Sequence, residues 1–255
     1  MRRNQALVKQ RAGKTTIGPA LAYDSADLAE QVAHLGFDWV WLDWQHGQFT
    51  EQTLSNALAR FLALDSVPIV RVKGNEPGTI NRVLDMGAMG VMVPMVQDAE
   101  QAAAAVRATF YPPKGARSAG GVRLELIGGS FEEYAGRAND EIMLVVMVET
   151  EEAVANVREI MRVPGVDVVL IGPFDLLTDL RAKGYDETHH ERLVLEIAAA
   201  SKETGTPAGY VCATREMAEL RLAQGFRFIN YGLDHFVLLD GMRRIRELAR
   251  QWTEG

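Results

Sequence analysis

The sequence predicts a closed (β/α)8 barrel that occupies residues 1–255 as a single domain. Eight short apolar runs of β-forming residues recur along the 255-residue chain, each followed by a helical pattern. No polar linker interrupts the alternation, so the chain reads as one α/β unit. An open doubly wound sheet is the competing architecture, but its usual Gly-x-Gly-x-x-Gly after the first strand is missing.

In order, TIGPALAY (16–23) is a short strand, and Asp24 or Ser25 can cap a helix running through His34. FDWVWLDW (37–44) is the second strand, followed by a loop and a helix from about Thr50 to Leu64. VPIVRV (67–72) is the third, with a helix from about Glu76 to Met86. GVMVPMV (90–96) is the fourth, and Asp98 starts an Ala-rich helix. A Gly-rich loop from Tyr111 to Ser130 follows, closed by a short helix around Phe131–Arg137. IMLVVMVE (142–149) and VDVVLIG (166–172) are strands five and six, with a helix between them. Two helices near Phe174–Arg181 and Glu187–Thr204 lead to strand seven, TPAGYV (206–211). Thr214 caps the next helix and Gly225 stops it before strand eight, FRFINYG (226–232). The last helix begins at Asp234 and carries basic residues near its C-terminus.

Composition narrows the function classes. A net charge of −7 without a basic stripe argues against nucleic acid as a partner. One cysteine, Cys212, rules out an intramolecular disulfide framework and fits a reducing cytoplasm. The basic N-terminus lacks the apolar core of a signal peptide, and no apolar run approaches the roughly 20 residues of a membrane span. A cytoplasmic enzyme with small-molecule partners is expected. No P-loop, zinc-protease histidine pair or cysteine cluster is present.

Barrels of this kind place their chemistry at the C-terminal ends of the strands. The polar residues there are Asp43 and His46 after strand two, Arg71 after strand three, Glu149 after strand five and Asp175 after strand six. Asp85 ends a helix, near the start of strand four rather than its end. An acid at the end of a buried strand is costly unless something pairs with it, and two on consecutive strands suggest a shared divalent cation. The plainer alternative for Glu149 is an acid near a helix start, but Thr150, Glu151 and Glu152 already serve there. Asp175 has a stronger alternative as an N-cap. Two acids with few other ligands suit Mg²⁺ or Mn²⁺. Arg71 needs an anion, which a structural Asp supplies as readily as a substrate. A lone histidine is more often packing than catalysis, yet His46 stands beside the same strand ends. Trp39, Trp41 and Trp44 read as core or subunit contact. Cys212 follows strand seven and is expected to line a pocket, without marks of a nucleophile. No lysine closes strand six, as a Schiff-base aldolase would need.

WLDWQH, VRV, VLDMGAMGVMVPMV, ATFYPPKGARS, VMVET and IGPFDL occur in this order across nearly the whole chain. Together they resemble the HpcH/HpaI aldolases, the class II metal-dependent pyruvate aldolases of the 4-hydroxy-2-oxoheptane-1,7-dioate aldolase type. The resemblance implies a barrel whose Mg²⁺, Mn²⁺ or Co²⁺ is held by Glu149 and Asp175. It implies reversible cleavage of 4-hydroxy-2-oxo acids to pyruvate, or a related 2-oxo acid, and an aldehyde. Arg71 matches the enolate-stabilising arginine, and His46 with Asp85 the catalytic dyad, with Asp43 a further acid close to the histidine. Gly172, Pro173 and Phe174 would meet the pyruvate carboxylate. Hexamers, with the C-terminal helix from Asp234 exchanged between neighbours, are the assembly implied. Three positions depart from the family pattern and bear on the substrate. Met147 replaces a Gln, Asp43-Trp44-Gln45-His46 replaces Asp-Gly-Glu-His, and Phe174 fills a position often small. Two further readings are oxaloacetate decarboxylation or a citrate-lyase- or citrate-synthase-like reaction on the same scaffold, and an oxo-acid-binding barrel without turnover.

Overall fold

Eight parallel strands close on themselves in sequence order, β1 pairing with β8, as the alternation of runs requires. The computed structural model describes residues 1–253; the last two residues of the expected 1–255 unit lie outside the described residues. The strands are β1 (Thr16–Leu21), β2 (Trp39–Asp43), β3 (Val67–Arg71), β4 (Gly90–Val93), β5 (Met143–Val148), β6 (Val168–Ile171), β7 (Ala208–Cys212) and β8 (Phe228–Leu233). The helices of the first half are α1 (Gln5–Arg11), α2 (Ala26–His34), α3 (Glu51–Arg60), α4 (Pro77–Asp85), α5 (Ala99–Thr109), α6 (Leu124–Gly128) and α7 (Phe131–Glu141). Those of the second are α8 (Glu151–Ala155), α9 (Val157–Met161), α10 (Pro173–Ala182), α11 (Glu187–Thr204), α12 (Arg215–Ala223) and α13 (Asp234–Thr253).

Caps explain most boundaries. Ser25, Thr50, Asp98 and Thr214 each accept a backbone N–H from the first turn of their helix, tying off a donor that the helix cannot satisfy itself. Three expectations are corrected. Strand four ends at Val93 rather than residue 96, because Pro94 cannot donate to the ladder. The single helix expected between strands five and six breaks at Asn156, whose side-chain amide is drawn to the Gln97 carbonyl at 2.9 Å. α1 was not foreseen; Asn4 caps it and also donates to the Met89 and Glu141 carbonyls, at 3.0 and 2.9 Å.

The interior of the barrel is a packed core. Trp39 stacks on Phe228 at 4.2 Å between ring centres. Gly18 and Gly209 leave room for it, since a Cβ at either position would run into these rings or the adjacent backbone. Trp39 and Trp41 are therefore core. α13 differs from every other long helix: none of its described residues is buried. Leu238, Met242, Ile245, Leu248 and Trp252 form an exposed apolar stripe at helical spacing along it. Near its start lies an apolar groove of about 430 Å³, lined in part by Leu21, Leu28, Val32, Leu35 and Phe37.

Candidate active site

Asp43 and Arg71 end β2 and β3 and face each other in register. Burial of both leaves the guanidinium one partner that fits its fork. Nε donates to Oδ1 at 2.9 Å and Nη2 to Oδ2 at 2.7 Å. The same guanidinium stands 4.5 Å over the Trp41 ring. The anion that Arg71 needs is thus supplied within the chain. Asp43 Oδ1 also accepts the backbone N–H groups of Gln45 and His46, at 3.1 and 3.3 Å, folding the chain back into a tight turn. Gly47 completes that turn, because a side chain there would overlap the Asp43 and Ala22 carbonyls. His46 consequently stands exposed on the turn that follows β2.

Glu149 follows β5 and is 2 % exposed. Its Oε2 accepts the Met95 N–H at 2.7 Å. Met95 achieves this only with φ at 56°, a left-handed conformation that costs a non-glycine residue roughly 1–2 kcal/mol. Sequence reasoning missed Met95, since a backbone donor leaves no residue-type signal. Gly172 lets Glu149 pass, because a Cβ there would lie 2.8 Å from its Cγ. Asp175 sits in the first turn of α10, within hydrogen-bonding reach of Glu149. It does not cap that helix; Gly172 holds the N-cap position, with Pro173 next, and no side chain caps the turn. Nor does Glu149 cap α8, a task that falls to Thr150. Neither carboxylate caps a helix, although both lie close to a helix start.

Two carboxylates pressed together are electrostatically unfavourable without a cation. Burial, reinforced by Asp175, pushes the Glu149 carboxyl up to about 7 against the opposing pull of the Met95 N–H and Arg71. Among the described residues no group of three or more His, Cys, Asp or Glu converges. The pair fits a hard dication that leaves its other positions to water and substrate oxygens. A pH dependence follows for the metal-free protein. A carboxyl raised from 4.5 to about 7 stabilises the fold fully below pH 4.5, and that contribution is lost as pH rises through 7. The full loss is on the order of 3 kcal/mol or slightly more. Denaturant melts in chelator between pH 5 and 8 should show it, and Glu149→Gln should flatten this part of the slope.

The structure separates other expected residues from this cluster. Asp85 ends α4, and a helix in this fold ends at the N-terminal face of the barrel, opposite the Glu149–Asp175 pair. Its carboxylate takes Arg117 Nη2 at 2.6 Å, and among the described residues it makes no hydrogen bond to His46. Cys212 is also displaced. It shares a side of β7 with Tyr210, whose hydroxyl meets Arg221 of α12, so the thiol faces the helix layer. Burial pushes that thiol up to about 12, which suits packing and not chemistry. Met147 is buried on the interior side of β5, two residues below Glu149. Phe174, 61 % exposed, stands beside Asp175 at the mouth.

A family model described as "HpcH/HpaI aldolase/citrate lyase" matches residues 21–241. The chain is 39 % identical over 248 residues to a 4-hydroxy-2-oxovalerate aldolase of Novosphingobium aromaticivorans, covering 93 % of this chain and 92 % of that protein. It is 36 % identical over 230 residues to a 4-hydroxy-2-oxo-heptane-1,7-dioate aldolase of Escherichia coli, covering 89 % and 88 %. A crystal structure of an HpcH/HpaI aldolase/citrate lyase family protein from Burkholderia cenocepacia superposes with a TM-score of 0.90 at 31 % identity. That alignment covers 97 % of this chain and 99 % of the other.

Proposed function

Because the chain belongs to the HpcH/HpaI aldolase/citrate lyase family, we propose that it is a divalent-metal-dependent aldolase that reversibly cleaves 4-hydroxy-2-oxo acids to pyruvate, or a related 2-oxo acid, and an aldehyde. The observation that carries this reading is the convergence of buried Glu149, just after β5, and Asp175, in the first turn of α10 after β6, near enough for the charges of Asp175 and Arg71 to act on Glu149. Glu149 and Asp175 would hold the dication, which would supply Lewis-acid positive charge at the 2-oxo group.

The chain's own residues do the rest. Arg71, locked by Asp43 and Trp41, presents a fixed positive charge to the same developing negative charge. The N-terminus of α10, behind Gly172 and Pro173, offers the Phe174 and Asp175 N–H groups to a carboxylate. His46, exposed on its turn, moves the proton of the C4 hydroxyl. Asp85 orients that imidazole from a neighbouring copy, since its own chain holds it at the far face. Incubation with 4-hydroxy-2-oxo acids and oxaloacetate, with Mg²⁺, Mn²⁺ or Co²⁺ and after chelation, tests the reading. Pyruvate and aldehyde should appear together, and only with metal. Pyruvate from oxaloacetate alone would favour decarboxylation instead.

The assembly reading is the hexamer with exchanged C-terminal helices. It is supported by the exposed stripe of α13 and the apolar groove near its start. Leu238→Glu with Ile245→Glu should lower the oligomeric state in sedimentation velocity. Unchanged sedimentation would overturn this assembly.

A further inference from the structure

Among the described residues three buried arginines pair with carboxylates, and one does so differently. Arg71 binds Asp43, and Arg221 binds Glu191, through both carboxylate oxygens. Arg117 binds only Oδ1 of Asp85, at 2.6 Å, and among the described residues Oδ2 accepts no hydrogen bond. Its side chain is wholly buried. It lies over the rings of Tyr111 and Tyr134, at 4.6 and 5.6 Å, and donates to the Tyr134 hydroxyl at 3.2 Å. Its Nε has no partner at all.

That arrangement is poor for stability. Arg221 also leaves its Nε unpartnered, so what sets Arg117 apart is the single-oxygen contact, which forfeits the second charged hydrogen bond that the other two arginines make. Nor is the guanidinium needed to fasten its loop. Arg123 already ties the loop to the Ser55 and Met86 carbonyls at 2.7 and 2.8 Å. The Asn139 amide exchanges bonds with the Tyr111 backbone at 2.8 and 3.0 Å. On its other flank, the Asp85 carboxyl is closed in by Gly121, where a Cβ would come within 3.1 Å of its Cγ. Asp85 is thus held at one oxygen and one side, while its side chain stays partly exposed.

We infer that Arg117 is a positioning residue for the proposed reaction: by taking one oxygen of Asp85 it aims the other at the imidazole of His46 in a neighbouring copy. Gly121 flanks the carboxyl on its other side, at φ 111°, where a Cβ would crowd both Asp85 and Leu124. The inference rests on the reading of Asp85 as the dyad carboxylate. It adds the group that sets that carboxylate's direction.

The experiment compares Arg117→Met, Arg117→Lys, Gly121→Ala, Asp85→Asn and Arg117→Met/Asp85→Asn for steady-state cleavage of a 4-hydroxy-2-oxo acid, with melting temperatures measured alongside. Arg117→Met should lower kcat on the order of tenfold or more, with KM nearly unchanged; Gly121→Ala should lower kcat too, with a fall in melting temperature because alanine is strained at φ 111°. Arg117→Lys should recover part of the loss, because an ammonium keeps the single charged contact. The double variant should be no slower than Asp85→Asn alone. Full kcat in Asp85→Asn would remove Asp85 from the reaction, and this inference with it. A slow Asp85→Asn beside unimpaired kcat in Arg117→Met, or in Arg117→Lys and Gly121→Ala if the Met variant fails to fold, would overturn the inference and leave the Asp85 reading standing.

Discussion

Glu149→Ala is expected to abolish measurable divalent-metal binding and, with it, turnover, while the metal-free protein remains folded. The Glu149–Asp175 pair is the anionic set of the cluster, so removing one member leaves a lone, exposed Asp175. The loss should exceed the about 10–100-fold that supporting residues of metal sites cost. Alanine also strips the acceptor from the strained Met95 N–H. Glu149→Gln separates the two effects, since its amide oxygen still accepts that N–H but carries no charge. Calorimetric titration with Mn²⁺ should show no binding in either variant. The Gln protein in chelator should be at least as stable as the parent at pH 8, where the buried carboxylate is a burden. Parent-like Mn²⁺ affinity in either variant would contradict Glu149 as a ligand.

The fold was legible because the evidence for it is periodic. Eight apolar runs with helical patterns between them admit few topologies, and the barrel has the predicted strand order. The site was legible only in part, for physical reasons that differ by residue. Side-chain direction is hard to read in a strand buried on both faces, where apolar residues stand on either side. That is why Cys212 was placed at the pocket although Tyr210, on its side of β7, points at Arg221. Asp175 was ambiguous because Gly-Pro-Phe-Asp can be capped at either end; Pro173 at the first helical position moves the cap to Gly172. Asp85 was assigned by resemblance, against the rule that chemistry lies at strand C-termini. The structure restores that tension, and a second copy of the chain resolves it in the proposed assembly. Arg117 was visible within the YPPKGARS segment, but its role depends on a long-range contact that no local pattern encodes.

Arg71→Ala is expected to separate turnover from metal binding. Arg71 touches neither oxygen of Glu149 or Asp175 through a hydrogen bond, so Mn²⁺ affinity should change little. Turnover should fall about 10²–10³-fold, the cost of removing a preorganised charge from a site of developing negative charge. The same substitution strands Asp43, buried and without its two-bond partner. Breaking a buried pair in this way costs about 3–5 kcal/mol, so the single variant will also melt early. Adding Asp43→Asn removes the orphaned charge while leaving an oxygen to hold the Gln45 and His46 N–H groups. Stability should then recover while turnover does not. Arg71→Lys should sit between, keeping the charge but losing the fork that Asp43 and the Trp41 face hold rigid. Recovery of turnover together with stability in the double variant would reduce Arg71 to a structural partner of Asp43.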